Sequence, residues 1–169
     1  MLSKKMERAL SKQINAEFYS SYFYLNMALY CESIDLPGFA HWLRLQTQEE
    51  YEHAMRLLDF VLSRDGMVDL EQIDKPKGGF KNINDVFAQV LEHEKKVTGM
   101  INDLYALAVK ENDYPTQVEL QWFIKEQVEE EKTAKDILQQ LKWVGDKDTA
   151  LFMLDQKVAQ RQTGTEAEE

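Results

Sequence analysis

Phe39, Leu43, Gln46, Glu50, His53, Leu57 and Phe60 recur at alternating steps of four and three, the spacing of one face of a long helix. Such a stripe is the side a helix buries. This one turns polar at its centre, where Glu50 and His53 stand one turn apart and aim a carboxylate and an imidazole at the same point. Taken alone the pair constrains little, because charged residues are usually solvated. It constrains the fold only if other helices bring polar groups to the same height.

Other stretches do. From about Ser3 to Ser33 the stripe Leu10, Ile14, Glu17, Ser21, Tyr24, Ala28 predicts a first helix with Glu17 at mid-length. Asp35-Leu36-Pro37-Gly38 stops it and starts a second, with Pro37 suited to a first turn, and so short a link makes the two antiparallel neighbours. The second helix runs to about Arg64, with Gly66 as its expected C-terminal cap. A third, capped by Asn82, carries Ile83, Phe87, Val90, Glu94, Val97, Ile101, Leu104 and Ala108, with Glu94 its only charged member. After the turn Asn112-Asp113-Tyr114-Pro115 a fourth carries Phe123, Gln127, Glu130, Ala134, Ile137, Leu141 and Val144, and Gly145 ends it. Asp146 is placed to cap a short fifth helix to about Val158, with Leu151, Phe152, Leu154 and Val158 apolar. A helix so short is marginal in water, so it must dock on the bundle end or on other subunits.

The connection from Gly66 to Lys81 holds Pro76-Lys77-Gly78-Gly79 and no helical period. Extended, it reaches roughly 50 Å, enough to travel a helix of about 42 Å. The third helix can therefore run parallel to the second. The predicted fold is all-α, an up-down-down-up four-helix bundle with a long crossover between its second and third helices and a short fifth helix. Residues 1–159 form its domain, and 160–169 a polar, disordered tail. Seven Gly and three Pro in 169 residues are few enough to favour helices of this length.

In such a bundle the helix midpoints share one level of the core. Glu17, Glu50 with His53, Glu94, and Gln127 with Glu130 all fall there. A buried unpaired carboxylate costs several kcal/mol, and four together repel or take up protons. One dication or two removes the conflict. Carboxylates with an imidazole and an amide suit iron(II), manganese(II) or zinc(II). Glu50 can bridge two ions, Glu17 and His53 completing one and Glu94 and Glu130 the other, so that two irons could each give one electron to dioxygen. Beside this centre Glu49 sits about 100° around the helix from Glu50, and Glu126 and Glu129 flank Glu130. These residues fit a second acidic cluster, but equally a solvated face paired with Lys132 and Lys135. Tyr24 and Trp122 are by default core aromatics with a hydrogen-bonded tip, while His41 and His93 read as surface or interface groups.

In Glu17, Glu50-x-x-His53, Glu94 and Gln127-x-x-Glu130 the chain resembles the non-haem ferritins of bacteria and archaea, from Ser3 to about Val158. The resemblance implies an iron-storage ferroxidase, oxidising Fe(II) with dioxygen or peroxide and holding ferric mineral inside a homo-oligomeric shell of 24 subunits. It implies Glu17, Glu50 and His53 at one iron site and Glu50, Glu94 and Glu130 at the other, with Gln127 close by. A third iron would fall on Glu49, Glu126, Glu129 and Glu130, and Tyr24 would be a reductant or hydrogen-bond donor beside the centre. A bacterioferritin would carry a second Glu-x-x-His where this chain has Gln127-Val128-Glu129-Glu130, so no haem is expected. Where animal ferritins line their entry channels with acids, the matching places hold Gln117 and Leu120, with Glu119 nearby.

Composition narrows the rest. A net charge of −10 argues against nucleic acid and for cations. The one cysteine, Cys31, excludes an intrachain disulfide and a cysteine-pair metal site such as a rubrerythrin requires. No apolar signal segment or bilayer-length run is present, so a cytoplasmic protein is expected. The competing readings are a di-iron oxygenase, which needs an apolar pocket opening on the metals, and a metal-free helical interaction module.

Overall fold

A computed structural model describes residues 2–145 and 147–162. Its elements are α1 (Lys4–Ser33), α2 (Pro37–Ser63), α3 (Ile83–Lys110), α4 (Tyr114–Val144) and α5 (Asp148–Val158). α1 packs along α2 and α3 along α4, and α5 lies against α2 and α4. One apolar cluster joins the end of α1, the start of α2, the start of α3 and the end of α4, through Met27, Phe39, Phe87 and Ile137 among others. A second joins the start of α1, the ends of α2 and α3 and the start of α4, through Leu10, Leu57, Ile101 and Phe123 among others. The helices therefore run up, down, down and up, as the stripes require. Between the two clusters lies the polar level.

The helix ends follow local chemistry. Ser3, Asn82 and Asp113 cap α1, α3 and α4, accepting from the backbone N–H of Met6, Asp85 and Thr116. The first three helices end alike, with a left-handed residue at Asp35, Asp65 and Asn112. Leu36, Gly66 and Asp113 then donate back to Cys31, Val61 and Ala108, the bond pattern of a Schellman end. The expected cap Gly66 is thus corrected, since Asp65 takes the left-handed conformation. Gly66 is needed for space instead: a Cβ there would lie 2.8 Å from Val61 Cγ1 and 3.0 Å from Leu2 Cδ1. Gly145 does end α4, with φ 58°. The proposed fifth-helix cap, Asp146, lies outside the described residues, as do residues 163–169 of the expected tail; Lys147 stands at the N-cap of α5 with no side-chain bond.

Register shifts by one residue at two places. Ser20 rather than Ser21 is buried in α1, and Val61 rather than Phe60 closes the α2 stripe. The crossover runs along α1. Asn15 donates to the Asp69 carbonyl (2.9 Å) and accepts from Glu71 N (2.9 Å), Ser11 Oγ accepts from Asp69 N, and Asn26 donates to the Lys77 carbonyl (2.8 Å). Among the described residues no helix is long and apolar enough to cross a membrane.

Candidate metal centre

Mid-helix on α1 and α2, Glu17, Glu50 and His53 each bring one ligand atom to within 4.8 Å of the others, and all three are buried. Glu94 on α3 and Gln127 and Glu130 on α4 are buried at the same level. The polar stripe centres of all four helices therefore share one level of the core, while among the described residues Glu17, Glu50 and His53 are the set whose ligand atoms come within 4.8 Å of one another. His53 Nδ1 stands 3.7 Å from Glu50 Oε2, an ion-pair distance rather than a hydrogen bond. Trp122 and Phe123 meet the imidazole edge-on, at 5.3 and 5.9 Å between ring centres.

Three amides hold the acids. Gln13 donates to Glu17 Oε1 (2.7 Å). Gln46 Nε2 donates to both Glu50 Oε1 (2.9 Å) and Glu130 Oε1 (2.8 Å), tying α2 to α4. Gln127 Nε2 donates to the Glu94 carboxylate and carbonyl, each at 3.2 Å. The Tyr24 hydroxyl donates to Glu94 Oε1. Glu17 Oε2 is left over: among the described residues it is the buried side-chain polar atom with no hydrogen-bond partner. An acceptor so placed, facing a second carboxylate and an imidazole, is the donor set a divalent cation would complete.

Electrostatics say the same. Burial, with the nearby Glu50 charge, lifts Glu17 from its ordinary 4.5 to about 8. Burial and Glu50 lift Glu130 to about 8 as well. Glu94 is raised well above the carboxylate range by burial and by Glu50 and Glu130. Burial also works to raise Glu50, but the adjacent His53 ring and the Gln46 amide outweigh it and hold the group below its ordinary value. For His53 burial works downward, yet the Glu50, Glu17 and Glu130 carboxyls carry it up to about 10. Burial and the Glu94 charge push the Tyr24 phenol well up. Without an ion Glu17, Glu94 and Glu130 hold protons around a charged Glu50, and a cation is what would take the place of those protons.

The chain from residue 7 to residue 144 matches the ferritin-like domain. It belongs to the ferritin family. A bacterial non-heme ferritin of Bacteroides fragilis is 39% identical over 161 residues, covering 95% of this chain and all of the relative. One of Campylobacter jejuni is 35% identical, over 94% of this chain and 95% of its own. Among solved structures, the open-pore ferritin of the archaeon Archaeoglobus fulgidus superposes with a TM-score of 0.95 at 45% identity, over 96% of this chain and 100% of that one. An engineered closed form of the same ferritin gives 0.95 at 44% identity, over 97% and 100%.

Other residues of this ferritin fall less evenly. Glu49 and Glu126 are half-buried and Glu129 is exposed. Glu49 lies close enough to Glu130 to raise its pKa, and is paired with Arg161. Glu119 is paired with Arg56 at 2.6 Å, and Leu120 is fully buried in the core, so that position lines no channel. His93 is half-buried, lying against Tyr19, Phe23 and Tyr24 and bonded to Ser20 Oγ at 2.8 Å, and burial pushes its pKa down. His41 is exposed, as expected. Sequence reasoning also passed over Gln13 and Gln46 as site residues. The signal was there: each stands four residues before the glutamate it holds. Arg161 gave no such signal.

Proposed function

We propose that this ferritin takes up ferrous ions as substrate at the mid-bundle site, oxidises them with dioxygen and stores the ferric product inside a shell of its own copies, 24 in number. The observation that carries the reading is the convergence of Glu17, Glu50 and His53 on one buried point, with Glu17 Oε2 unsatisfied. Glu17, Glu50 and His53 would hold one ion and Glu50, Glu94 and Glu130 the other, with Gln127 holding Glu94 in place. Glu49, Glu126 and Glu129, with Glu130, would take a third. Each ferrous ion of the pair supplies one electron to the oxidant. The chain's own part is to bind, orient and lose protons: Glu17, Glu94, Glu130 and His53 deprotonate as the ions enter, and Gln13, Gln46 and Gln127 keep the carboxylates aimed inward. Tyr24, bonded to Glu94, is placed as a proton or electron donor to that half of the site.

The cleft that reaches His53, of about 620 Å³, is lined by Glu52, Arg56, Asp59 and Glu119 along with Phe60 and Trp122. Four charged side chains suit the passage of ions better than the binding of an apolar organic substrate. The buried Cys31 thiol, pushed up to about 12 by burial, is inert and suits the reducing cytoplasm where we place the protein. Anaerobic Fe(II) titration tests the reading. Saturable binding of two or three ions per chain, followed by dioxygen uptake in proportion to iron, is expected; absence of saturable binding overturns it.

A further inference from the structure

Past the last turn of α5, Arg161 turns back onto α2. Its Nη1 donates to Gln46 Oε1 (2.9 Å) and its Nη2 to Glu49 Oε2 (2.5 Å). The guanidinium also lies over the Trp42 ring, 4.3 Å from its centre, and His41 Nε2 donates to the Arg161 carbonyl at 3.2 Å. One residue is thus anchored along more than two turns of α2 by a planar fork and a stacked ring, an arrangement a lysine could not reproduce. Its two partners matter to the site. Gln46 is the amide that holds Glu50 and Glu130 together, and Glu49 is the acid next to Glu50 on the chain. Where a cation beside Glu49 would sit, the chain places the Arg161 guanidinium.

We propose that Arg161 is a displaceable latch, which holds Glu49 and Gln46 while no metal ion lies beside Glu49 and releases Glu49, together with the turn after α5, when one does. The inference rests on the cation site proposed above. A guanidinium and a dication compete for the same carboxylate oxygen, and the pair is partly open to water, with side-chain exposures of 22% and 20%, so its hold on Glu49 is worth only a modest factor in affinity. A doubly charged ion sharing Glu130 would outcompete it. The bonds that open on release are those of the terminal turn, Gln160 N to the Lys157 carbonyl and Arg161 N to the Val158 carbonyl, each 3.2 Å.

The test is hydrogen exchange read by mass spectrometry on the full-length assembled protein, chelated or saturated with redox-inert Zn(II). The peptide beginning at Ala159 is expected to exchange at least about threefold faster with zinc bound, while the α2 and α4 segments around Glu50 and Glu130 slow. In Arg161→Gln that peptide should exchange fast in both states, and the weakest zinc-binding step, followed by calorimetry, should tighten by about three- to tenfold because its competitor is gone. Arg161→Lys should restore only part of the protection. Unchanged exchange in the zinc-saturated wild type, or unchanged zinc affinity in Arg161→Gln, overturns the latch and leaves the metal site standing. A wild-type chain that takes up no zinc overturns both.

Discussion

Glu17 shows how a residue can be poorly placed for stability and well placed for binding. Its second carboxylate oxygen is buried with nothing to accept from, beside Glu50. Glu17→Gln removes that charge while keeping the shape, so the ion-free variant is expected to melt no lower than wild type at pH 8. Its affinity for Zn(II) or Fe(II) should fall at least about tenfold, read by anaerobic calorimetry. Proton linkage gives a second test. Glu17 and Glu130, lifted from 4.5 to about 8, hold protons in the folded chain that the unfolded chain has already lost. Their contribution to stability is full below pH 4.5 and is lost as pH rises through about 8. His53, lifted from 6.5 to about 10, acts in the same direction, its contribution present below 6.5 and gone above 10. Glu50, lowered, opposes them only on the acid side of 4.5. The chelated protein should therefore lose thermal stability steadily from about pH 4.5 to about pH 10. Saturation with zinc should flatten that slope, and zinc binding at neutral pH should release protons, measured as a binding enthalpy that varies with the buffer's ionisation enthalpy. A profile flat between about pH 5 and 6.5 would mean the acids are already charged without a metal.

Element by element, the least self-sufficient piece is the start of α2. Leu36 stands at its N-cap and has no side chain to offer. The missing acceptor comes from α5, where the buried Asp155 takes the Gly38 N–H at 3.0 Å and the Phe39 N–H at 2.9 Å. A carboxylate at a helix N-terminus also meets the positive end of its dipole. Asp155→Ala is expected to cost about 1–2 kcal/mol, seen as a lower denaturation midpoint and as faster amide exchange throughout α5. Gly38 makes the contact possible: a Cβ there would sit 2.0 Å from the Asp155 carbonyl oxygen. Gly38→Ala should push α5 off the bundle end and cost about 1–3 kcal/mol, whereas Gly99→Ala on α3, with open space around it, should stabilise slightly.

The whole molecule leaves apolar surface uncovered. Trp143 near the end of α4 is 75% exposed, and Phe152 and Met153 on α5 are 63% and 67% exposed. Side chains of that size at the bundle end are what subunit contacts bury. Light scattering on the purified protein should give roughly 475 kDa if 24 chains of 19.8 kDa assemble. Phe152→Asp should shift the population to small oligomers while each subunit keeps its helices. Assembly unaffected by that change would place the contact elsewhere.

The bundle itself was legible because its information is periodic and local: apolar steps of three and four, Ser3 and Asn82 as caps, Pro37 at a first turn. The candidate site was legible for the same reason, since Glu17, Glu50, His53, Glu94, Gln127 and Glu130 interrupt stripes at one level, and Glu17, Glu50 and His53 come together there. What tertiary structure decided lies where partners are distant in sequence and no period points to them. Asp155 caps a helix 116 residues earlier, His93 packs against the aromatic rings of α1, and Arg161 reaches back across 112 residues to Glu49. A stripe specifies which face is buried, but which groups close over its ends depends on where a short helix docks, and that is a property of packing in three dimensions.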